Sequence, residues 1–476
     1  MTGNQQRRRP RVAVLGAGIG GLSAARALRQ ADMCDVVLYE REARAGGVIH
    51  TSRADGFTRE HAANGFLPVR EGTGALDLAR ELGVEVMAAA PAAKNRWIYR
   101  QGRLHALPTS PAAFLASQLL SWRGKLTLLA EPLRPRRSTS AGDESIHAFA
   151  TRRLGREVAD AMVAPFVTGV FAGDANELSV QAGMPALARL EARGGLLVGQ
   201  LRSMVERVRA RRAGKNGPQA ARPGASGDDK PGRLSAPRGG VGELIDALVR
   251  DLGDALVTGA EVVDLAPGPE IHLADGSAHR FDAVVLATPA HVGARLCARL
   301  SPELSRALDG FPYVPVAVVY LGVARADVAH DLDGFGFLVA AGEDPRALGI
   351  VFESVVYPGR APTGHVLFRC IYGGARDPGI LALSDAELIT TAGQDLDRAL
   401  GDFAGIDLVH AHVVRWPRAI AQYTLGHIAR VERAEILSAP LGVVLAGSAY
   451  HGVAVNSIVA DARRVCQAVH ALVGVG

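Results

Sequence analysis

The chain has 476 residues, 48% of them hydrophobic, and a formal net charge of +5 at pH 7. This length exceeds what one hydrophobic core usually spans, so we expect two or three lobes. Basic residues are interleaved with acidic ones and form no aromatic-laced stripe, which argues against a nucleic-acid-binding class. The four cysteines lack disulfide or metal-ligand spacing, which indicates a reducing compartment and no disulfide framework.

Two segments have some features of export or membrane signals. Arg7, Arg8 and Arg9 precede an apolar run, but no cleavage site follows, so we interpret them as a solvated basic tail. Residues 436–460 contain no Asp, Glu, Lys or Arg, yet Pro440 and several glycines interrupt them. We therefore expect a strand, a glycine turn and a helix there, and no membrane span.

Residues 12–40 predict a nucleotide-binding βαβ unit. An apolar strand at 12–15 is followed by a glycine cluster, a helical pattern and a second apolar run that ends at Glu40. Glycines permit a sharp turn and close approach to a pyrophosphate, and an acidic side chain at this spacing accepts hydrogen bonds from a ribose. The glycines of the cluster are Gly16, Gly18, Gly20 and Gly21.

Later segments indicate how the remaining chain is arranged. Gly46 and Gly47 form either a second wall of the cofactor cleft or an ordinary turn. The apolar strand at 281–288 returns late in the sequence, which implies a discontinuous nucleotide-binding lobe. Residues 313–372 alternate in the manner of an antiparallel sheet, which predicts a second lobe with substrate bound between the two.

Three further segments carry separate predictions. Residues 110–137 combine an apolar face with an aromatic and basic fringe, which fits either a helix lying in one membrane leaflet or a core helix with a solvated basic end. Residues 211–233 are rich in Gly, Pro and charge, which predicts a disordered surface loop. His410 and His412 share one strand face, and without a third ligand at suitable spacing we interpret them as edge-strand histidines and expect no metal.

Taken together, several motifs resemble the flavin-dependent protoporphyrinogen oxidases of the amine-oxidase-like flavoprotein superfamily. The resemblance rests on the glycine turn, Glu40, Gly46-Gly47, the late strand VVLATPA and the C-terminal segment LAGSAYHGVAVNSIVADARR, of which the dinucleotide motif is shared by the whole superfamily. Four segments are similar to those typical of the porphyrinogen oxidases, namely GVFAGDANELSV (169–180), FGFLVA (335–340), IAQYTLGH (420–427) and AYHGVAVN (449–456). The resemblance covers nearly all of the chain outside 211–233.

The resemblance implies an α/β plus α+β fold with three parts. A discontinuous Rossmann-like FAD-binding domain is expected at 10–88, 234–293 and 414–476. A mixed-sheet substrate domain is expected at 89–106 and 294–413. A helical, membrane-associated subdomain is expected at 107–209, and a disordered loop at 210–233.

The resemblance also implies noncovalent FAD and a set of site residues. Gly16, Gly18, Gly21 and Glu40 would hold the ADP half, with adenine and ribose contacts from Arg41, Gly46, Gly47 and Val262. The flavin end would be approached by Trp416, Val453, Ala454 and Val455. The substrate pocket would be lined by Gly169, Phe335, Leu338, Val351 and Ile371, with Asn64 at the position that recognises a propionate.

The implied reaction is oxidation of protoporphyrinogen IX to protoporphyrin IX in haem biosynthesis. Hydride would pass to FAD and molecular oxygen would reoxidise it with release of hydrogen peroxide, without a dedicated acid or base side chain. The resemblance further implies a homodimer attached to the inner face of the cell membrane from the cytoplasm, with ferrochelatase as a partner. The alternatives are a coproporphyrinogen III oxidase, an amine oxidase or desaturase, and a non-enzymatic prenyl-GTPase escort protein.

Overall fold

The structure is a computed structural model that describes residues 8–69, 74–135, 137, 142–192, 195–196 and 233–474. The predicted loop at 210–233 lies outside the described residues apart from Arg233. The predicted helices beyond residue 196 also lie outside them.

A five-stranded parallel sheet forms the centre of the first lobe. The N-terminal strand Arg11–Leu15 pairs with Asp35–Tyr39 on one side and with Ala283–Leu286 on the other. Val443–Leu445 continues the sheet beyond Ala283–Leu286, and Leu256–Val257 completes the opposite edge. Three of the five strands thus begin at Leu256 or later, so distant parts of the sequence build one sheet, as a discontinuous lobe requires.

Helices cover both faces of this parallel sheet, which explains why its strands are apolar throughout. Val12 and Val14 face one hydrophobic cluster, whereas Ala13 and Leu15 face another. The first cluster is covered by Ile19–Gln30, Ala75–Glu81, Gly242–Leu252 and Val455–Val473, and the second by Ala290–Leu296, Pro302–Asp309 and His427–Ser438.

A seven-stranded mixed sheet forms the second lobe. All neighbouring strands are antiparallel except Gly336–Val339, which runs parallel to Trp97–Arg100. The helix Asp385–Leu400 packs on one face of this sheet. The strands in spatial order are His410–Ala421, Tyr313–Ala324, His365–Gly373, Gly349–Phe352, Gly336–Val339, Trp97–Arg100 and Arg103–Ala106.

The strand His410–Ala421 crosses the domain boundary that the resemblance implies at residue 414. All of this strand belongs to the seven-stranded sheet, where it pairs with Tyr313–Ala324. The substrate lobe therefore extends to Ala421. The expected boundary at 414 falls inside a continuous strand, because pairing with Tyr313–Ala324 extends on both sides of Val414.

Small sheets and short helices connect the two lobes. The hairpin Thr51–Ala54 and Phe57–Glu60 follows the second glycine pair along the chain. A short helix, Glu353–Val356, begins directly after the strand Gly349–Phe352. The remaining strands are Val86–Ala88 with Ser235–Pro237, and Val262–Ala266 with Glu270–Leu273 and Ala278–Arg280.

The third part is helical and carries an exposed apolar face. Its helices include Pro111–Ala116, Trp122–Leu129, Ile146–Leu154, Arg156–Val158, Ala164–Phe171, Val180–Gly183 and Pro185–Ala192. Trp122 and Leu126 are 66% and 64% exposed, which does not fit the core-helix interpretation. Within the described ranges, no helix is both long and apolar enough to cross a bilayer.

Candidate functional site

The glycine turn after the first strand depends on the absence of side chains at two positions. Gly16 has a φ of +97°, a backbone conformation that residues with a Cβ rarely adopt. A Cβ on Gly21 would lie 1.9 Å from the carbonyl oxygen of Gly16. The helix Ile19–Gln30 therefore packs against the turn at a distance that only glycine permits.

The beginning of this helix is open toward the cleft. Gly18 precedes the helix without a side-chain cap, and the first turn contains no acidic residue. Among the described residues, and apart from the chain neighbours of Gly18, no atom lies within 4 Å of the position that a Gly18 Cβ would occupy. The first N–H groups and this open space fit the pyrophosphate of a dinucleotide.

The second glycine pair lies against the first. The Gly46 N–H donates to the carbonyl of Ala17 at 2.7 Å, and Gly47 has a φ of +56°. A Cβ on Gly47 would be 3.4 Å from the Gly18 Cα. This arrangement supports the prediction that Gly46 and Gly47 form a second wall of the cleft.

Glu40 fixes the same turn from the end of the neighbouring strand. Its buried carboxylate accepts hydrogen bonds from the Ala17 N–H at 2.8 Å and from the Glu42 N–H at 3.0 Å. Each carboxylate oxygen retains a further lone pair, so the group can still accept from ribose hydroxyls.

The two remaining predicted adenine contacts lie beside Glu40. Ala260 donates its N–H to the Glu40 carbonyl at 2.9 Å, and this bond brings the nearby Val262 toward the ribose end of the cleft. Arg41 is exposed and forms an ion pair with Glu42 at 3.1 Å. Both positions remain predictions as cofactor contacts.

The C-terminal loop, which contains three of the predicted flavin contacts, lies against the glycine turn. A Cβ on Gly20 would be 3.3 Å from the Gly447 Cα, so loop and turn are in contact. Ala454 precedes the helix Val455–Val473, and Val455 packs in the same hydrophobic cluster as Val351. The predicted flavin residue Val455 and the predicted substrate residue Val351 therefore belong to the same buried cluster.

Tyr423 holds this loop in place, a role that the sequence did not reveal. Its hydroxyl donates to the Ser448 carbonyl at 2.8 Å and accepts from the Gly452 N–H at 2.6 Å. The ring stacks on His427 with the centroids 3.8 Å apart. Tyr423 lies within IAQYTLGH (420–427), a segment that carries the family resemblance, but the motif did not predict that Tyr423 holds the C-terminal loop.

The predicted substrate residues come together on neighbouring strands of the mixed sheet. A Cβ on Gly169 would be 2.5 Å from Leu338 Cδ2, so helix and sheet are in direct contact there. Leu338 pairs with Gly349, which in turn pairs with Ile371. The Phe352 N–H donates to the Phe335 carbonyl at 3.0 Å, directly after Val351.

Trp416 and Val453 complete the predicted set. Trp416 packs near Ile371 in one apolar cluster and donates its indole N–H to the His61 carbonyl at 2.8 Å. Val453 packs between the helical part and the cluster on the second face of the parallel sheet. Each therefore lies between two parts of the fold, where a bound ligand would contact both.

Asn64 lies beside a buried carboxyl group. Its amide nitrogen donates to Glu353 Oε2 at 3.3 Å. Burial raises the pKa of Glu353, while the Arg369 and Arg360 charges oppose that shift. The predicted role of Asn64 toward a propionate remains a prediction.

Arg96 is a second residue that the sequence did not single out. Its guanidinium carbon lies 5.3 Å from the centre of the Phe335 ring, and the residue is exposed. A cation stacked on an apolar ring is suited to a flat, anionic ligand. No spacing in the sequence connects residues 96 and 335, because strand pairing brings them together.

The chain is similar to known proteins over nearly its whole length. The family model described as flavin containing amine oxidoreductase matches residues 19–470. Protoporphyrinogen oxidase of Homo sapiens is 34% identical over 493 residues, which cover 96% of this chain and 98% of that protein. The mitochondrial protoporphyrinogen oxidase of Nicotiana tabacum is 31% identical over 445 residues, covering 88% of this chain and 85% of that protein.

Solved structures agree on the fold. A crystal structure assigned to a protoporphyrinogen oxidase of Exiguobacterium sp. 255-15 gives a TM-score of 0.78 at 22% identity, covering 97% of this chain and 99% of that one. A putrescine oxidase structure gives a TM-score of 0.68 at 16% identity, covering 97% and 99%. With the glycine turn, Glu40 and the C-terminal loop in place, the chain belongs to the FAD-dependent flavin containing amine oxidoreductase family and, within it, to the protoporphyrinogen oxidases.

Proposed function

We propose that the protein oxidises protoporphyrinogen IX to protoporphyrin IX in haem biosynthesis, with molecular oxygen as the final acceptor and hydrogen peroxide as its product. The observation that carries this proposal is the apolar surface formed by Leu338 and Ile371, which flank Gly349 on three neighbouring strands, together with Phe335 directly before the first of them. Such a surface suits a large, flat tetrapyrrole.

The residues of this surface orient the substrate and exclude water. Leu338 and Ile371 lie on either side of Gly349, whose strand runs between theirs, and Gly169 allows the helix Ala164–Phe171 to approach Leu338 closely. When bound, FAD supplies a two-electron acceptor for hydride from a methylene bridge. The side chains of this surface would hold that bridge in line with the acceptor and exclude water from the site.

Arg96 provides charge complementarity at the edge of the surface. Its guanidinium group stacks on Phe335 and is exposed, so one propionate of the substrate would pair with it while the ring system lies on the apolar face. Arg96→Met should raise KM about tenfold with kcat nearly unchanged, since an ion pair of this kind contributes roughly 1–2 kcal/mol. An unchanged KM would remove Arg96 from substrate recognition.

One experiment tests the activity itself. Anaerobic mixing of the flavin-loaded protein with protoporphyrinogen IX should bleach the flavin absorbance and produce porphyrin fluorescence. A parallel reaction with coproporphyrinogen III should be slower, because its extra propionates would lie against the apolar side chains of Leu338 and Ile371. Protein that carries flavin and is not bleached by protoporphyrinogen IX would contradict the proposal.

Amine oxidation and a non-enzymatic escort role have less support from the site. Amine oxidation calls for an aromatic cage, whereas the substrate surface is largely aliphatic. A non-enzymatic escort protein would have no need of the glycine turn, Glu40 and the C-terminal loop that together fit FAD. A yellow purified protein would exclude that class.

Membrane attachment is proposed from the exposed apolar face of the helical part. Leu115, Trp122, Leu126, Leu129 and Leu133 are 49–87% exposed, whereas Lys125 is buried and donates to the Leu115 carbonyl. Large apolar side chains exposed together favour insertion into one leaflet. We therefore propose a cytoplasmic enzyme that is peripherally attached to the inner face of the cell membrane.

Vesicle flotation tests this attachment. The double variant Trp122→Glu, Leu126→Glu should lose binding to anionic vesicles while its flavin content stays the same. The matched control Ile436→Glu changes another apolar residue, 72% exposed, outside the helical part and should bind as the parent protein does. Equal flotation of all three proteins would contradict membrane attachment.

We also propose two partners, ferrochelatase and a second copy of this chain. A porphyrin product is hydrophobic and light-sensitive, so direct transfer to ferrochelatase at the same membrane surface fits its chemistry. A homodimer would present two such surfaces to one leaflet, which strengthens attachment through effective concentration. Analytical ultracentrifugation with and without detergent should detect the dimer, and a monomer under both conditions would contradict it.

A further inference from the structure

Gln422 and Tyr423 lie where the mixed sheet meets the helical part. They directly follow His410–Ala421, the edge strand of the seven-stranded sheet, and the Gln422 N–H donates to the Pro312 carbonyl at 2.8 Å. The Tyr423 carbonyl accepts from the Ser179 N–H of the helical part, also at 2.8 Å. Both side chains are at most 5% exposed. The main chain at these two residues is therefore fixed from two sides.

The Gln422 side chain holds the end of the helix Ala164–Phe171. Its amide nitrogen donates to the Phe171 carbonyl at 2.9 Å and to the Ile420 carbonyl at 3.1 Å. The last carbonyls of a helix have no partner within the helix, so the first of these bonds satisfies a group that would otherwise be buried alone. Gly169, a predicted substrate contact, lies two residues before Phe171. Gln422 therefore fixes the helix on the substrate side.

The Tyr423 side chain holds the loop that leads to the predicted flavin contacts. Its single hydroxyl joins the Ser448 carbonyl to the Gly452 N–H, two groups four residues apart. Gly452 has a φ of +133°, and a Cβ there would overlap the Ser457 side chain. Burial raises the pKa of Tyr423, so the hydroxyl keeps its proton and remains a donor. The predicted flavin contact Val453 follows directly after the held N–H.

The two segments held by Gln422 and Tyr423 also contact each other. Val453 packs against the hydrophobic cluster that contains Val167 and Phe171, and Gly169 lies between these two residues in the same helix. On its other side, Gly169 is in contact with Leu338 of the substrate surface. A shift of either segment would therefore change the separation between the flavin end and the substrate surface.

We propose that Gln422 and Tyr423 are positioning residues for hydride transfer, in which Gln422 places the substrate-side helix and Tyr423 places the flavin loop. This inference rests on the proposed function. Each residue acts through the segment that it holds and needs no contact with the reacting atoms. Hydride transfer depends steeply on alignment, and a displacement of about 1 Å can cost about 100-fold in rate. Because the two residues are consecutive, one short piece of buried main chain sets the separation.

Tyr423→Phe tests the flavin side, because it removes only the hydroxyl. The Gly452 N–H then loses its acceptor and the loop can shift. We expect the limiting rate of anaerobic flavin bleaching by protoporphyrinogen IX to fall about 10- to 100-fold, while KM changes less than about twofold. The visible circular dichroism of the bound flavin should change as well, and that measurement requires no substrate.

Tyr450→Phe is the matched control. Tyr450 belongs to the same loop, is 3% exposed like Tyr423 and is not a predicted flavin contact. Its hydroxyl has no hydrogen-bond partner among the described residues, and its ring packs on Phe311 with the centroids 5.2 Å apart. The control should therefore keep the parent rate and the parent dichroism. Equal losses in both variants would reflect a general disturbance of the loop and would overturn the proposal.

Gln422→Met tests the substrate side. Methionine is similar in length but cannot donate to the Phe171 and Ile420 carbonyls. Bleaching should slow about tenfold because the helix that carries Gly169 is released, whereas the flavin dichroism should remain that of the parent protein. Tyr423→Phe changes both readouts and Gln422→Met only one, so the two variants separate the flavin side from the substrate side. A parent rate in Gln422→Met would overturn the role of Gln422.

The remaining outcomes distinguish this inference from the proposed function. If Tyr423→Phe does not retain flavin, hydrogen exchange of the flavin-loaded parent protein decides. Slow exchange of the Gly452 N–H supports the proposal, and exchange as fast as in an exposed loop overturns it. If protoporphyrinogen IX does not bleach the parent protein, the proposed function fails, while the dichroism still tests Tyr423. Parent rates and spectra in Tyr423→Phe would overturn this inference and leave the proposed function intact.

Discussion

The cofactor cleft and the substrate surface differ in whether backbone atoms or side chains line them. The cleft presents backbone, because Gly16, Gly18 and Gly47 bring main-chain atoms to the position where a pyrophosphate fits. The substrate surface presents side chains from separate strands, and the buried, charged Arg369 lies opposite Val351 in the neighbouring strand. The cleft should therefore be sensitive to added atoms, and the substrate surface to removed ones.

The largest expected effect is that of Gly21→Ala. The new Cβ would meet the Gly16 carbonyl oxygen, a backbone atom, at 1.9 Å. We expect loss of flavin and a fall of at least about 3 kcal/mol in the free energy of unfolding, at the upper end of overpacking effects. Thermal unfolding and flavin absorbance would measure both, and a yellow protein of parental stability would contradict the backbone contact.

Gly18→Ala is the matched control for that variant. Its Cβ meets no atom within 4 Å, and Gly18 has an ordinary extended φ of −69°. Stability without flavin should change by less than about 0.5 kcal/mol, as for an uncrowded site, while flavin affinity falls. Unchanged affinity would show that the open space does not hold the cofactor.

Phe335→Ala tests the substrate surface by removing atoms. Turnover should fall by about 100-fold because the substrate is no longer held in line, whereas flavin content should change little. Phe335→Leu keeps an apolar side chain and should recover most of the turnover. Equal turnover in the alanine variant would place Phe335 outside the substrate site.

Glu40→Ala should have a smaller effect, confined to the cleft. It removes the acceptor for the Ala17 and Glu42 N–H groups and for the ribose. Hydrogen bonds to a charged group contribute roughly 1.5–3 kcal/mol, so flavin should bind about 10- to 100-fold more weakly. Fluorescence titration of the flavin-free protein measures this, and an unchanged affinity would remove Glu40 from ribose binding.

The smallest effect concerns pH and the C-terminal loop. Burial lowers the pKa of His427 from 6.5 to about 4. Between those values the unfolded chain binds a proton that the folded protein does not, so stability falls as pH drops from about 6.5 toward 4. His427→Gln should flatten this acid dependence in chemical unfolding, and an identical slope would exclude His427 as its source.

The difference between a site lined by backbone and a site lined by side chains also explains which of the two sites could be predicted from the sequence. A backbone site needs glycines close together in the chain, so the spacing of Gly16 to Gly21 after an apolar strand predicts the cleft, whereas Gly46 and Gly47 alone left an ordinary turn equally open. The strands at 283–286 and 443–445 follow from their uniformly apolar composition. These features depend on local sequence, and the fold contains both strands.

Contacts between residues that are far apart in the sequence could not be predicted in this way. Asn64 and Glu353 are 289 positions apart and are joined only because a hairpin of one lobe meets a strand end of the other. Arg96 and Phe335 meet through pairing of distant strands. Only the resemblance to a known family placed Phe335 and Leu338 in one site, and no local pattern marks Glu353 as buried.

The order of strands in the parallel sheet has a consequence for synthesis of the protein. Arg11–Leu15 is made early, but Val443–Leu445, which completes that sheet, emerges roughly 430 residues later. At about 5–20 residues per second, the ribosome needs about 20 to 90 s to supply it. The glycine turn must therefore wait for the helix Val455–Val473 to pack against it, so the nascent chain is expected to acquire flavin only after residues 455–473 have left the ribosome.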